Sequence, residues 1–390
     1  MADAILTINA GSSSIKFALF ELEDGFQRAI EGEVEGIGTS PHLLIRNKGK
    51  LAYEKRWDDK TLGYEPLLSE SLDWIEKHLG DDKLVATGHR VVHGGRKFFA
   101  PVLITQDVVK DLEGLIDLAP LHQPHNIEPM HVLFKLRPKL PQVACFDTAF
   151  HHTMPEIAAR IPIPRQYHDQ GVRRYGFHGL SYEYIASCLP EAAPNLAKGR
   201  VVVAHLGNGS SMCALKAGKS VDSTMGFTAL DGLMMGTRTG AIDAGVVLYM
   251  MQSRGMDAKA LTSLFYKESG LLGVSGISSD VRTLLESSAP EAKEALDLFA
   301  FKAAHQAAGL VTSLGGLDGL VFTAGIGEHA AWVRAAICER LAWMGLKLSP
   351  EANQSSASVI STPDSRVEVR VIPTDEELVI ARHTRELVKP

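Results

Sequence analysis

The feature that most constrains this chain is a phrase that occurs twice. Near the start, the apolar runs Ile5 to Ile8 and Ile15 to Phe20 flank the polar turn Asn9-Ala10-Gly11-Ser12-Ser13-Ser14. Midway along, Val201 to His205 leads through Leu206-Gly207-Asn208-Gly209-Ser210-Ser211 into Met212 to Leu215. Each copy reads as two β-strands joined by a turn of small residues, and its return half a chain later implies a duplicated architecture. Between and after the copies, helical patterns at Tyr64 to Leu79 and Ala292 to Leu314 alternate with apolar strands at Leu84 to Thr87, Val143 to Phe146 and Gly319 to Thr323. Alternation of this kind predicts an α/β fold in which helices cover mixed sheets. Arg366 to Ile372 reads as a late strand and Glu376 to Val388 as a terminal helix.

A chain of 390 residues exceeds what one core usually organises, so two domains are expected, with a boundary near Asp147 to Pro155. A composition of 45% hydrophobic and 22% charged residues is that of a globular protein and argues against disorder. The net charge of -6, with both signs mixed along the chain, offers no basic stripe for a nucleic-acid backbone. Cys145, Cys188, Cys213 and Cys338 form no CxxC pair and sit in apolar contexts, as buried thiols of a reducing compartment do. The start MADAILTINAGSSS enters a strand at once and lacks the pattern of a signal peptide, and no apolar run reaches the ~20 residues that span a bilayer. A cytoplasmic location without membrane or nucleic-acid partners is expected.

The chemistry concentrates at strand ends. The turn Asn9 to Ser14, followed by Lys16, offers backbone N–H groups, the hydroxyls of Ser12, Ser13 and Ser14, and a cation, a set that suits phosphate oxygens. It lacks the GK[ST] ending of a Walker A loop, and an ordinary polar hairpin would read the same way. Gly207 and Gly209 permit close backbone approach to a polyphosphate or merely a tight turn. Thr323-Ala324-Gly325-Ile326-Gly327-Glu328 follows an apolar strand and precedes a helical stretch expected from His329. Three such turns in one chain point to a nucleotide cleft.

Two arginines suggest the acceptor. Arg90, within Gly88-His89-Arg90-Val91-Val92-His93, stands where a guanidinium can hold a carboxylate bidentately or be solvated at a strand end. Arg238, within Gly236-Thr237-Arg238-Thr239-Gly240, is awkward as core and favours a ligand role. Asp147 ends an apolar strand and His178 lies in Tyr175-Gly176-Phe177-His178-Gly179; taken alone, each is better explained as an N-cap aspartate and a hydrogen-bonded core histidine, respectively. In Pro373-Thr374-Asp375-Glu376-Glu377-Leu378, Thr374 with Glu377 fits a capping box, while one of the acids can serve the Mg²⁺ that accompanies ATP.

In order and spacing, INAGSSSIKFALF, GHRVVHGG, FDTAFH, YGFHGLS, HLGNGSS, MGFTALDGLMMGTRTG, GIGE and TDEEL resemble the acetate kinase family across nearly the whole chain. The resemblance implies an actin-like ATPase fold of two domains with duplicated mixed sheets, a homodimer, and reversible formation of acetyl phosphate and ADP from acetate and ATP. It implies Mg²⁺, or Mn²⁺ in its place, near Asn9 and Glu376. Arg90 would bind the acetate carboxylate, Asp147 would be the catalytic aspartate, and His178 and Arg238 would stabilise the transition state. Ser12, Ser14 and Lys16 would meet phosphate, and Val92, Leu121 and Phe177 would line the methyl pocket. The nucleotide would lie against His205, Leu206, Gly207, Asn208 and Gly209, against Asp280, Val281 and Arg282, and against Gly325, Ile326, Gly327, Glu328 and His329. The domains expected are 1–148 with 378–390, carrying acceptor and phosphate sites, and 149–377, binding nucleotide. Ala229 stands where many relatives have proline, Ala324 where glycine is common and His329 where asparagine is usual. The first bears on acyl-chain length, so propionate or butyrate kinase is the neighbouring alternative; the others bear on nucleotide preference. A nucleotide-switched protein of the actin or chaperone type is the alternative from another class.

Overall fold

The computed structural model describes residues 3–23, 26–80 and 82–389. The chain divides into two compact units, Met1–Phe150 with Asp375–Pro390, and His151–Thr374. In the first unit the strands are β1 (Ala4–Ala10), β2 (Ser14–Glu21), β3 (Gln27–Glu35), β4 (His42–Asn47), β5 (Lys50–Arg56), β6 (Leu84–Val91), β7 (Val102–Leu103) and β8 (Gln142–Phe146). They form one sheet ordered β5-β4-β3-β2-β1-β6-β8-β7. In the second unit β9 (Arg200–Leu206), β10 (Ser210–Lys216), β11 (Lys219–Ser223), β12 (Gly319–Thr323) and β13 (Glu368–Val371) form a sheet ordered β11-β10-β9-β12-β13.

The expected duplication is visible in strand sense as well as order. In the first unit β1 is antiparallel to β2 and parallel to β6, β2 is antiparallel to β3, and β6 is parallel to β8. The second unit repeats this with β9 central, antiparallel β10 and β11 on one side and parallel β12 and β13 on the other. The first unit adds the hairpin β4–β5, whose last strand Lys-Leu-Ala-Tyr-Glu-Lys-Arg carries the charges that discourage edge pairing.

Each sheet is buried by helices whose apolar periodicity faces it. Leu67, Leu68, Leu72 and Ile75 of the helix Tyr64–Leu79, with Val132 and Leu133 of Gln123–Leu136, cover Leu6, Ile8, Ile15, Phe17 and Leu19. On the opposite face the terminal helix Glu376–Val388 lays Ala381 on Ile5, Ala18, Phe20 and Ala86. It approaches so closely that a Cβ on Gly88 would stand 2.3 Å from Thr384 Oγ1 and 2.5 Å from Ile380 Cγ2. That contact sets the helix N-terminus, and its acids, at the ends of β1 and β6. In the second unit the helix Pro290–Leu314 buries Ala292, Ala295, Phe299, Ala303 and Ala307 in a cluster with Val202, Ala204, Leu320 and Phe322. Proline at its first turn moves the start two residues ahead of the expected Ala292.

Two local expectations are corrected. The stretch expected to become helical at His329 is helical from Ala324 to His329, breaks at Ala330 and resumes over Ala331–Arg340. The terminal helix is capped by Asp375, whose side chain accepts from the Leu378 amide at 2.9 Å, while Thr374 bonds Ser181 instead.

Candidate active site

The site residues fall into a group tied by ion pairs around Arg90 in the first unit and, in the second, a group of hydrogen-bonded rings and hydroxyls near Arg238 with a pocket beside it that carries the Asp280–Arg282 pair. Asn9 and Arg90 lie on the adjacent parallel strands β1 and β6, and Asp147 follows β8. Asp147 takes Arg90 from the side, with Nε at 3.0 Å from Oδ1 and Nη2 at 2.7 Å from Oδ2. Arg90 Nη1 lies 3.4 Å from Asn9 Oδ1, and Glu376 Oε2 lies 3.6 Å from Arg90 Nε. The pair is nearly dry, with the Asp147 side chain 2% and Arg90 20% exposed. Burial pulls the Arg90 pKa down, but Asp147 and then Glu376 outweigh it and the group stays charged well above its ordinary range. Three of the five guanidinium N–H groups are thus committed, two to Asp147 and one to Asn9, and the plane of the fork is fixed.

Around this group the sequence concealed several partners. Asn126, on the helix Gln123–Leu136, donates to Ala10 O at 2.8 Å and accepts from the Val92 amide at 2.9 Å, tying the end of β1 to the segment after β6. Tyr64 Oη donates to Gly11 O at 2.5 Å, holding the serine turn. Arg28 bonds Asp375 and lies 3.3 Å from Glu377 Oε2, anchoring the start of the terminal helix. Burial pushes the Glu377 carboxyl pKa up and Arg28 opposes it. Lys16 faces Asn9 across the β1–β2 ladder and reaches Glu33 at 3.5 Å. Ser12 is exposed, Ser14 and Leu121 are half-buried and Val92 is buried.

Mg²⁺ takes oxygen ligands, keeps several waters and is usually held through one or two protein groups plus substrate phosphates. Asn9 Oδ1 and the Glu376 carboxylate, both beside Arg90, are oxygen donors that match that chemistry. Among the described residues no group of three or more histidine, cysteine or acidic side chains forms a cage for a metal.

In the second unit His178 has left-handed backbone (φ 57°, ψ 27°), uncommon for a residue other than glycine. His151 supports it: the His151 ring bonds Phe177 O at 2.9 Å through Nε2 and Ser220 Oγ at 2.9 Å through Nδ1. A Cβ on Gly176 (φ 77°) would strike the His151 ring at 2.6 Å. Burial lowers the His151 pKa to about 4, so the ring is neutral and Nε2 donates to the carbonyl. Phe177 itself is 2% exposed. His178 stacks on His205 with ring centroids 4.2 Å apart. A Cβ on Gly209 would lie 3.4 Å from His178 Nε2 and 3.9 Å from Arg238 Nη1, so both side chains reach the same turn. Arg238 Nη1 also donates to Ala229 O at 2.9 Å.

Three segments far apart in sequence meet in a pocket of about 610 Å³, lined by Gly207 and Asn208, by Asp280, Val281 and Arg282, and by Gly325, Ile326 and His329. Ser279, Leu285 and Ala330 complete its wall. His205, Leu206, Gly209, Gly327 and Glu328 do not line it: His205 and Leu206 are buried, Gly327 packs under β12, and Glu328 Oε1 accepts from the Thr374 amide at 3.2 Å. Arg282 is turned onto Asp280, with Nη2 at 2.6 Å from Oδ2. Ala324 has φ 64°, a conformation in which glycine would be unstrained. Fully buried Arg334 donates to the carbonyls of Gly327 and Glu328 at 2.9 and 2.8 Å and so fixes the loop from behind.

The sequence profile of the acetokinase family matches residues 4–382. An acetate kinase of Rhodopseudomonas palustris is 52% identical over 394 residues, covering 99% of this chain and 99% of its own. Among solved structures, a propionate kinase from Francisella tularensis superposes with a TM-score of 0.91 at 39% identity, covering 98% of this chain and 99% of that one. Porphyromonas gingivalis acetate kinase gives 0.87 at 36% identity, covering 99% and 100%. This chain is an enzyme of the acetokinase family.

Proposed function

We propose that the enzyme transfers the γ-phosphoryl group of ATP directly to the carboxylate of acetate, reversibly, giving acetyl phosphate and ADP. The observation that carries the reading is Arg90: its Nε–Nη2 edge is closed by Asp147, its plane is fixed, and its Nη1 end turns toward Asn9 where an acceptor carboxylate can be taken. The full-length likeness to the Rhodopseudomonas palustris acetate kinase favours acetate.

Acetate is ionised at neutral pH, since carboxyl groups titrate near ~4, so no base is needed to activate it. The obstacles are repulsion between two anions and the loss of freedom in aligning them. Arg90 holds the acceptor and Asp147 keeps Arg90 oriented, without taking a proton. Arg238 and His178 neutralise charge on the transferring oxygens. A carboxylate oxygen bonds to phosphorus as the bridge to the β-phosphate breaks, and the electron pair leaves with ADP. Asn9 and Glu376 are the residues that would hold Mg²⁺ or Mn²⁺, which when bound neutralises phosphate charge. The first unit carries the acceptor and phosphate groups Ser12, Ser14 and Lys16, with Val92 and Leu121 for the acyl group; Phe177 is the acyl-group residue of the second unit. The second unit binds nucleotide, with Val281, Leu285, Ile326 and Ala330 offering an apolar wall to the base and Gly325 open space to the phosphates.

Trapping acyl phosphate as hydroxamate with Mg-ATP and acetate, propionate or butyrate tests this directly. A strong acetate signal lost in Arg90→Ala supports it, and no acyl phosphate from any acid would sink it. Propionate kinase is the second reading, supported by the Francisella tularensis fold and by Ala229, since one methylene changes binding by only ~1 to 3 kcal/mol.

A homodimer and a cytoplasmic location complete the proposal. The helix Ala244–Arg254 buries none of its residues and exposes Val246, Leu248, Tyr249 and Met251, an apolar face that a second copy would cover. Light scattering should give twice the chain mass, reduced to one mass by Leu248→Glu. No helix among the described residues is long and apolar enough to cross a membrane, and none of the four cysteines is joined in a disulfide.

A further inference from the structure

The two stacked histidines of the second unit are braced crosswise. His178 precedes the helix Gly179–Ala192, and its Nδ1 lies 2.8 Å from Ser211 Oγ on β10. His205 lies on β9, and its Nδ1 lies 2.8 Å from Ser181 Oγ on that helix. Ser211 Oγ also meets the hydroxyl of Tyr182, and both side chains are fully buried. The His151 ring packs edge-on against Tyr182 with centroids 5.6 Å apart. The strained backbone of His178 is therefore secured from both sides, by the His151 bond to Phe177 O and by the Tyr182–Ser211 pair.

A hydroxyl has one proton to give. When Tyr182 donates to Ser211, the serine proton is directed to His178 Nδ1, and neutral His178 then carries its own proton on Nε2. Nε2 is the atom nearest the Gly209 turn that Arg238 Nη1 also reaches. Phosphoryl oxygens only accept hydrogen bonds, so the Nε2–H form is the one that can serve them; the other tautomer would present a lone pair to a developing anion.

We infer that Ser211, backed by Tyr182, is a positioning residue that holds His178 in the Nε2–H tautomer as a donor to the transferring phosphoryl group. This rests on the assignment of His178 proposed above. The pairing generalises how an outer hydrogen bond selects the tautomer and orientation of a working imidazole.

The test is nitrogen-15 NMR of the full chain labelled in histidine, with kinetics alongside. In wild type, at a pH where His178 is neutral, its signals should show the Nε2-protonated pattern. Ser211→Ala should mix the tautomers and lower kcat by about 10- to 100-fold, the size of an outer-partner loss, with KM for ATP and acetate within about threefold. Ser211→Thr should restore the tautomer and most of kcat, and Tyr182→Phe should shift both in the direction of Ser211→Ala. An Nδ1–H or imidazolium state throughout the active pH range in wild type overturns the inference without any variant. So does a folded Ser211→Ala that keeps both tautomer and kcat. His178→Gln separates the two levels: a normal kcat there removes His178 from the chemistry, whereas a large loss beside an unaffected Ser211→Ala removes only the role of Ser211.

Discussion

The two sheets share order and strand sense, yet the turns that follow their central strands are surrounded differently. Next to the β1 turn stand Arg90, Asp147 and Glu376 in ion pairs, and Arg28 pairs with Asp375 at the start of the terminal helix. Next to the β9 turn stand hydrogen bonds between imidazoles and hydroxyls among His178, Ser211, Tyr182, His205 and Ser181, with glycines bordering an open pocket. Duplication thus supplies two equivalent strand ends, and the helices that cap them decide the chemistry. The terminal helix delivers carboxylates to the first, and the helix Gly179–Ala192 delivers hydroxyls to the second. An acceptor that is already an anion calls for fixed cations, whereas a nucleotide calls for backbone access and an apolar wall.

The sharpest way to break this comparison is to remove Arg238, the arginine beside the Gly209 turn. Arg238→Ala should lower kcat by ~10³-fold or more while ATP affinity stays comparatively intact; near-normal kcat in steady-state assays would show that the second unit supplies binding alone. In the charged half, Arg90→Ala should reduce kcat/KM for acetate by about 30- to 1,000-fold, the cost of stranding one partner of a buried pair, with KM for ATP little changed. A comparable rise in the KM for ATP would mean that the division between halves is false.

Acid should weaken the first unit more. His89 and His93 there, and His151 in the second, are lowered by burial from 6.5 to about 4. Between those values the unfolded chain binds more protons than the folded one, so stability falls as pH drops from about 6.5 toward about 4. Thermal unfolding followed at pH 7, 6 and 5 should show the decline, and hydrogen exchange, corrected for intrinsic rate, should show β6 losing protection before β9. Equal stability at pH 7 and 5 would contradict it.

The smallest effect concerns Ala324. Its left-handed backbone costs roughly 1 to 2 kcal/mol that glycine would avoid, offset in part by the entropy glycine loses on folding. Ala324→Gly should raise the unfolding midpoint slightly without altering kcat; a fall would show that the Ala324 methyl group contributes packing toward Gly207, where an added Cβ would stand 3.9 Å from the Ala324 Cβ.

Much of the fold was legible because periodicity is local. Tyr64–Leu79, Gly319–Thr323 and Glu376–Val388 have the bounds their patterns predict, and the repeated phrase announced two similar sheets. The helix beginning at Ala324 was missed because two glycines in six residues argue against helix, and propensity yielded to the buried Arg334 that holds the carbonyls of Gly327 and Glu328. Asn126, Ser211, Tyr182, His151 and Arg28 gave no signal, since each matters through a partner distant in sequence or through a single hydrogen bond that no spacing rule encodes.

The sequence by itself determined the two-sheet class, the glycine turns at strand ends and the residue types on which phosphoryl chemistry depends, because strand and helix patterns follow from side-chain periodicity alone. Only the tertiary structure decided that Asp147 closes one edge of Arg90, that Asp375 rather than Thr374 caps the terminal helix, and that Ser211 faces His178. Those choices depend on which polar groups remain without water once the helices have packed, and that is settled only when the whole chain is in place.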